Sequence, residues 1–129
     1  MSDASGAELE DDLLDRLEDG ATCGLPELRD RRVDDDQVER QLRAFKALAN
    51  DYRIRILEAL REGELCACEL EAILEAPQST VATHLGRLRE VGLVNTRKSG
   101  KWTYYRIADT ASLELLELAE ALETTAPDE

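Results

Sequence analysis

The chain has 129 residues, 43% of them apolar and 35% charged, with a formal net charge of −13. That length suits one domain with a modest core, and the mix is that of a soluble globular chain rather than a disordered one. No apolar run approaches the ~18 residues that cross a bilayer. Residues 1–18 are acidic and lack the basic-then-apolar order of a secretory signal, so a cytoplasmic location without membrane contact is expected.

Leu9, Leu13, Leu14 and Leu17 recur at helical spacing up to Gly20, which predicts a short amphipathic helix or a partly ordered tail within an acidic arm, residues 1–36. Gly24 and Pro26 mark the stretch from Ala21 to Pro26, which holds Cys23, as a loop. Asp34, Asp35 and Asp36 supply negative charge for the start of a helix running to about Ala49. Its apolar face is Val38, Leu42, Phe45, Leu48 and Ala49. Asn50 suits an N-cap for a second helix, with Ile54, Ile56, Leu57 and Leu60 inward and Gly63 as its stop. A third, shorter helix is predicted from Glu64 to Ala76, with Leu65, Leu70, Ile73 and Leu74 inward. After a tight connection at Pro77-Gln78-Ser79, a fourth runs from Thr80 to Val91, with Val81, Leu85 and Leu88 inward and Gly92 at its end.

The period then changes to two. Leu93 to Arg97 and Trp102 to Ile107 read as the strands of a hairpin, with Lys98-Ser99-Gly100-Lys101 as a basic tip. A last helix, Ala111 to Leu122, carries Leu113, Leu115, Leu116, Leu118, Ala119 and Leu122, a wide apolar coverage that suits a subunit interface. The expected fold is therefore mainly α with a small β-hairpin, a winged helix-turn-helix of order ααααββα. It occupies residues 37–124, and residues 125–129 form a tail.

The charge is unevenly spread. Residues 1–36 hold 13 acidic and 4 basic side chains, and residues 107–129 hold 7 acidic and none basic. Residues 77–106 reverse the sign, with 6 basic side chains against Glu90 alone. A basic island in an acidic chain is what a phosphate-contacting surface requires. The island coincides with the second helix of the predicted helix-turn-helix, which is the helix that enters the major groove. Gln78, Ser79, Thr80, Thr83, His84 and Arg87 carry the donors and acceptors that base edges need, and Arg97, Lys98 and Lys101 at the hairpin tip suit phosphates. Double-stranded DNA is the expected partner. No nucleophile–base pair, phosphate loop or carboxylate dyad is recognisable, and with one histidine an enzyme is not expected.

The three cysteines are Cys23, Cys66 and Cys68. An odd number in such a chain argues against a disulfide framework and toward thiolate chemistry, although a lone cysteine is equally an ordinary small apolar residue. Cys66 and Cys68 fall at the start of the predicted third helix. Two positions apart in a regular helix lie about 200° apart, so both sulfurs converge only where the first turn is irregular. A helix N-terminus favours thiolate, and thiolates favour soft ions. Two thiolates leave a site incomplete, and Cys23 is the remaining thiol. Three sulfurs with no fourth soft ligand suit pyramidal As(III) or Sb(III) better than tetrahedral Zn(II). Cd(II), Pb(II), Zn(II) and thiol oxidation stay open as alternatives.

Taken together, Phe45-Lys46-Ala47-Leu48-Ala49 with Arg53-Ile54-Arg55-Ile56-Leu57, the box Glu64-Leu65-Cys66-Ala67-Cys68-Glu69-Leu70, the run Gln78 to Leu85, Leu88 to Val94 and the wing Arg97 to Arg106 resemble the ArsR/SmtB family of metal-responsive repressors, over about residues 38–122. The resemblance implies a homodimer built from the first and last core helices, here through Leu42, Phe45, Leu115, Leu118 and Leu122. It also implies a palindromic operator and release from DNA by the inducer. Cys66 and Cys68 fall on the family's metal-box cysteines. A compact three-cysteine arsenic site has a further cysteine where this chain has Glu71, and family members sensing cadmium and lead draw thiols from an N-terminal arm, the role Cys23 would fill. The family's other site, on the last helix, needs histidine, and residues 109–123 contain none.

Overall fold

The computed structural model describes residues 25–127. Contacts divide the chain after Val38 into two units. In the first part, α1 (Leu25–Arg29) takes in the last two residues of the predicted loop, Leu25 and Pro26. Pro26 is compatible with a helix there because the first-turn N–H it lacks has no intrahelical partner. The arm helix, residues 21–24 and Cys23 lie outside the described residues.

Helix α2 (Asp35–Leu48) begins after Asp34, whose carboxylate accepts the Gln37 N–H at 3.3 Å. Asn50 caps α3 (Asp51–Leu60) as expected: its backbone is extended and its Oδ1 accepts the Arg53 N–H at 3.2 Å. Such a cap contributes about 1 kcal/mol. Beyond Gly63, at φ 146°, the structure departs from the predicted third helix. Leu65–Cys66 form a short strand, β1, and α4 spans Ala67–Leu74. The helix starts later because Leu65 and Cys66 pair with Tyr105 and Tyr104, a long-range contact that local periodicity does not encode.

Helix α4 ends at Glu75, which takes the left-handed conformation at φ 51°, the one non-glycine residue to do so among the described residues. Pro77, with φ fixed near −64°, leads into α5 (Gln78–Glu90), and its carbonyl accepts the Thr80 and Val81 N–H groups at 3.1 Å. Gly92 at φ 81° ends α5, with the Leu93 N–H returning to the Leu88 carbonyl at 2.9 Å. Strands β2 (Val94–Ser99) and β3 (Trp102–Ile107) pair antiparallel, Ser99 opposite Trp102. The tip is therefore a two-residue turn, Gly100-Lys101, tighter than the four-residue tip predicted. Gly100 takes positive φ, as the first central residue of a two-residue hairpin turn often must. The sheet order is β1-β3-β2. Helix α6 (Ala111–Ala121) closes the order.

The core is Ile56, Leu57 and Leu60 of α3, Leu70 of α4, Val81, Leu85 and Leu88 of α5 and Val94 of β2, with Tyr105 and Ile107 of β3 packed against it. The winged helix-turn-helix thus holds α5 and the wing on one core, with a three-stranded sheet in place of a bare hairpin. Two residues predicted inward are not: Ile54 is 37% and Ile73 56% exposed. Among the described residues, no helix is long and apolar enough to cross a membrane.

Candidate nucleic-acid interface and thiol site

The turn Glu75 to Pro77 leaves Gln78 and Ser79 exposed at the start of α5, with Thr80 half-buried behind them. Thr83 is exposed and its hydroxyl donates to the Ser79 carbonyl at 2.8 Å, which leaves its oxygen free to accept. Arg87 is exposed one turn on, with Glu90 within 3.5 Å. At the wing, Lys98 and Lys101 are exposed, and the Lys101 ammonium sits 5.8 Å from the centre of the Trp102 ring. Arg97 is committed to Glu64, whose carboxylate accepts its Nε at 3.1 and 3.2 Å, and it lies 4.9 Å over the Tyr104 ring. That contact, with Arg106 nearby, holds the Glu64 carboxyl below the usual carboxylate range.

His84 stands apart from the other candidates on α5. It is half-buried and stacks on Tyr52 with ring centroids 5.3 Å apart. Its Nδ1 lies 3.1 Å from the Arg53 guanidinium, and burial followed by the Arg53 charge pushes its pKa down. Nδ1 therefore acts as the acceptor, and the ring is committed to α3. His84 follows Val81 by three and precedes Leu88 by four, so it borders the buried stripe of its own helix. That spacing was the available signal for its inward role.

Arg53 is the residue that sequence reasoning missed. Its Nε donates to the Ala47 carbonyl at 2.6 Å and its Nη2 to the Lys46 carbonyl at 3.2 Å, so one side chain joins the end of α2, α3 and α5. Arg43, Lys46, Arg53 and Arg87 line one surface concavity. The cationic surface thus extends onto α2 and α3, in a segment whose overall charge is negative and where composition gave no sign of it.

Cys66 and Cys68 lie at the junction of β1 and α4. Cys66 has extended backbone, φ −85° and ψ 166°, and Cys68 is the second helical residue, so the irregular first turn needed for the two to converge is present. Cys66 is half-buried and Cys68 exposed, both as free thiols. The Cys66 N–H donates to Glu69 Oε1 at 3.0 Å, and that bond, with the thiol beside it, holds the Glu69 carboxyl low. Among the described residues, no three His, Cys, Asp or Glu side chains are grouped to hold a metal ion. Two thiols two positions apart suit a thiophilic ion by donor type, and by themselves they do not make a three-donor set.

On the opposite chemistry, Phe45, Leu115, Leu118 and Leu122 line one apolar concavity between α2 and α6. Phe45 is 58%, Leu118 65% and Leu122 66% exposed, and Leu42, one turn before Phe45, is exposed with them. Arg61 links α6 to α3 by bonds of 2.6 Å to Glu58 and 2.7 Å to Glu117.

Comparison with known proteins agrees with this architecture. Residues 50–96 match the family described as bacterial regulatory protein, arsR family. The chain is 50% identical over 64 residues to the arsenic resistance transcriptional regulator ArsR1 of Pseudomonas putida, covering 49% of this chain and 50% of that one. It is 40% identical to the cadmium resistance regulatory protein CadC of Listeria innocua, covering 57% and 63%. It is 37% identical to the SmtB-homologue transcriptional repressor of Synechocystis, covering 68% and 67%. The match thus spans half to about two thirds of the length of these relatives. Among solved structures, a homodimeric winged helix-turn-helix DNA-binding domain from Mycobacterium bovis superposes with a TM-score of 0.62 at 30% identity, covering 70% of this chain and 86% of that one. These relatives are regulators of transcription, not enzymes. With a helix-turn-helix, a wing and the Cys66–Cys68 box on one core, the chain belongs to the ArsR/SmtB family of winged-helix transcriptional regulators.

Proposed function

We propose that the chain is a homodimeric, cytoplasmic repressor that binds operator DNA when empty and leaves it when As(III) or Sb(III) is taken up by Cys66, Cys68 and Cys23. The observation that carries this reading is the pair of free thiols at the irregular start of α4, the helix that precedes α5. Gln78, Ser79, Thr80, Thr83 and Arg87 face the bases or their flanking phosphates, and Lys98 and Lys101 hold phosphates. His84 serves by positioning α5 through Tyr52 and Arg53. Leu42, Phe45, Leu115, Leu118 and Leu122 meet a second copy, since apolar side chains this exposed on two adjoining helices suit a self-complementary contact. The arm, residues 1–36, brings the third thiol to a winged-helix and dimerisation domain, residues 37–124, that ends in the tail 125–129.

Three thiolates saturate a pyramidal As(III) centre and leave no role for a fourth ligand. Likeness to a cadmium resistance regulator supports a second reading, in which Cd(II) or Pb(II) binds the same thiols with a further ligand. Titrating the full chain with arsenite and, separately, with Cd(II) tests both. Thiolate charge-transfer absorption and release from a DNA duplex taken from upstream of its own gene are followed together. The arsenic reading expects a band saturating at one As(III) per three thiols, with release at the same stoichiometry and loss of that band in Cys23→Ser. Release by Cd(II) and not by arsenite would overturn it in favour of the second reading.

A further inference from the structure

Glu64 precedes β1 directly and Cys66 by two residues. Arg97 of β2 grips its carboxylate with a fork: Nε reaches both oxygens, and Nη2 donates to Oε1. The register places Arg97 and Cys66, not Glu64, on one rung. Tyr104 of β3 is opposite Arg97 on one side and opposite Cys66 on the other, and the Arg97 guanidinium lies over the Tyr104 ring. Cys66, Tyr104 and Arg97 are therefore successive members of one rung across the sheet, and Glu64, two residues before Cys66, reaches that rung at its Arg97 end. The pair is open to solvent, with side chains 45% and 34% exposed, so a DNA phosphate has access to the same guanidinium.

A guanidinium fork fits a carboxylate and a phosphate in the same bidentate way, and the face that holds one is not free for the other. We propose that Glu64 competes with an operator phosphate for Arg97, and that this pair is the link by which the thiol box reports to the wing. Opening of the Glu64–Arg97 contact adds a phosphate contact to the complex. A ligand on Cys66, fixed to the same rung, keeps the contact closed. The competition stands on the ion pair alone, whereas the link to Cys66 rests on the thiol-sensor reading above.

Glu64→Gln removes the competing charge at a surface position, and thermal unfolding of the variant checks that the fold is kept. Binding of the full chain to a duplex from upstream of its own gene is measured between about 50 and 200 mM salt. Glu64→Gln is expected to bind several-fold tighter than the original chain, with a log–log salt slope steeper by about 0.9, the value for one added phosphate contact. In an Arg97→Ala background the same substitution is expected to change neither quantity. Unchanged or weaker binding by Glu64→Gln, or a gain that survives in Arg97→Ala, overturns the competition. Adding arsenite tests the link: the ratio of operator affinities without and with arsenite should fall at least threefold in Glu64→Gln, while the thiolate charge-transfer titration is unmoved. An undiminished ratio overturns the link and leaves the thiol reading standing. A ratio of one in the original chain overturns the arsenic reading, and the salt slope still decides the competition.

Discussion

Two faces of the molecule are open to solvent for opposite reasons. One, at the start of α5 and along the wing, is polar and cationic: Gln78, Thr83, Arg87, Lys98 and Lys101 stand clear of the core. The other, between α2 and α6, is apolar: Phe45, Leu118 and Leu122 are more than half exposed. Exposure alone assigns no partner to either face, and the chemistry of each says what would suit it. Cations on a helix-turn-helix and wing suit a polyanion. Apolar side chains in a concavity suit another protein surface, and on a chain whose solved relative is a homodimer the second copy is the simplest occupant.

The largest separation of the two faces should come from Leu118→Glu. A charge in the centre of the apolar face is expected to weaken self-association by about 2 kcal/mol or more, roughly thirtyfold, as read by sedimentation. Operator affinity falls with it, because two half-sites are no longer read together. A chain that stays dimeric after this change removes the apolar face from the account. Next in size is Lys98→Ala with Lys101→Ala. Self-association should be untouched, and the salt slope of operator binding should drop by about two, one phosphate for each lysine. A slope that does not move takes the wing tip off the DNA.

A smaller effect concerns pH. Burial and Arg53 push the His84 pKa down from its ordinary 6.5, with Asp51 opposing weakly and Tyr52 stacked on the ring. The unfolded chain therefore takes up a proton at higher pH than the folded one. Stability is full above about pH 6.5 and declines as pH falls through that value toward the lower folded pKa. Urea midpoints at pH 7.5 and pH 5.5 should differ more for the original chain than for His84→Gln; equal differences would mean that the ring titrates freely. The smallest expected change is at the helix-turn-helix itself. Glu75 holds a left-handed conformation, and Glu75→Gly should raise stability by about 0.5 kcal/mol without moving either face. Loss of stability would show that the Glu75 side chain has a role the turn geometry does not reveal.

Features set by neighbours in the chain were legible from sequence. Asn50 as a cap, Gly92 as a stop, the buried stripe Val81, Leu85 and Leu88 and the period-two wing all follow from local chemistry. Features set across the chain were not. Strand β1 exists because Tyr104 and Tyr105 lie beside it. Arg53 gathers partners up to 31 residues away, and Arg97 finds Glu64 across 33. Ile54 and Ile73 satisfy the helical period and still face outward, because the breadth of a buried stripe depends on what packs against it. The two box cysteines were legible as a pair at a helix start. Cys23, the partner proposed for them, lies outside the described residues and more than forty positions away, and its proposed role rests on thiol chemistry rather than on pattern.

On the proposed function, α5 and the wing read DNA, and the thiols at the start of α4 decide whether they do. Operator binding by Cys68→Ser, measured by fluorescence anisotropy with and without arsenite, tests that claim most directly. Cys68 is exposed and outside the core, so the variant should bind the duplex as the original chain does in the absence of arsenite. Arsenite is expected to release the original chain and to leave this variant on the DNA. Release of both by the same concentration of arsenite would contradict it.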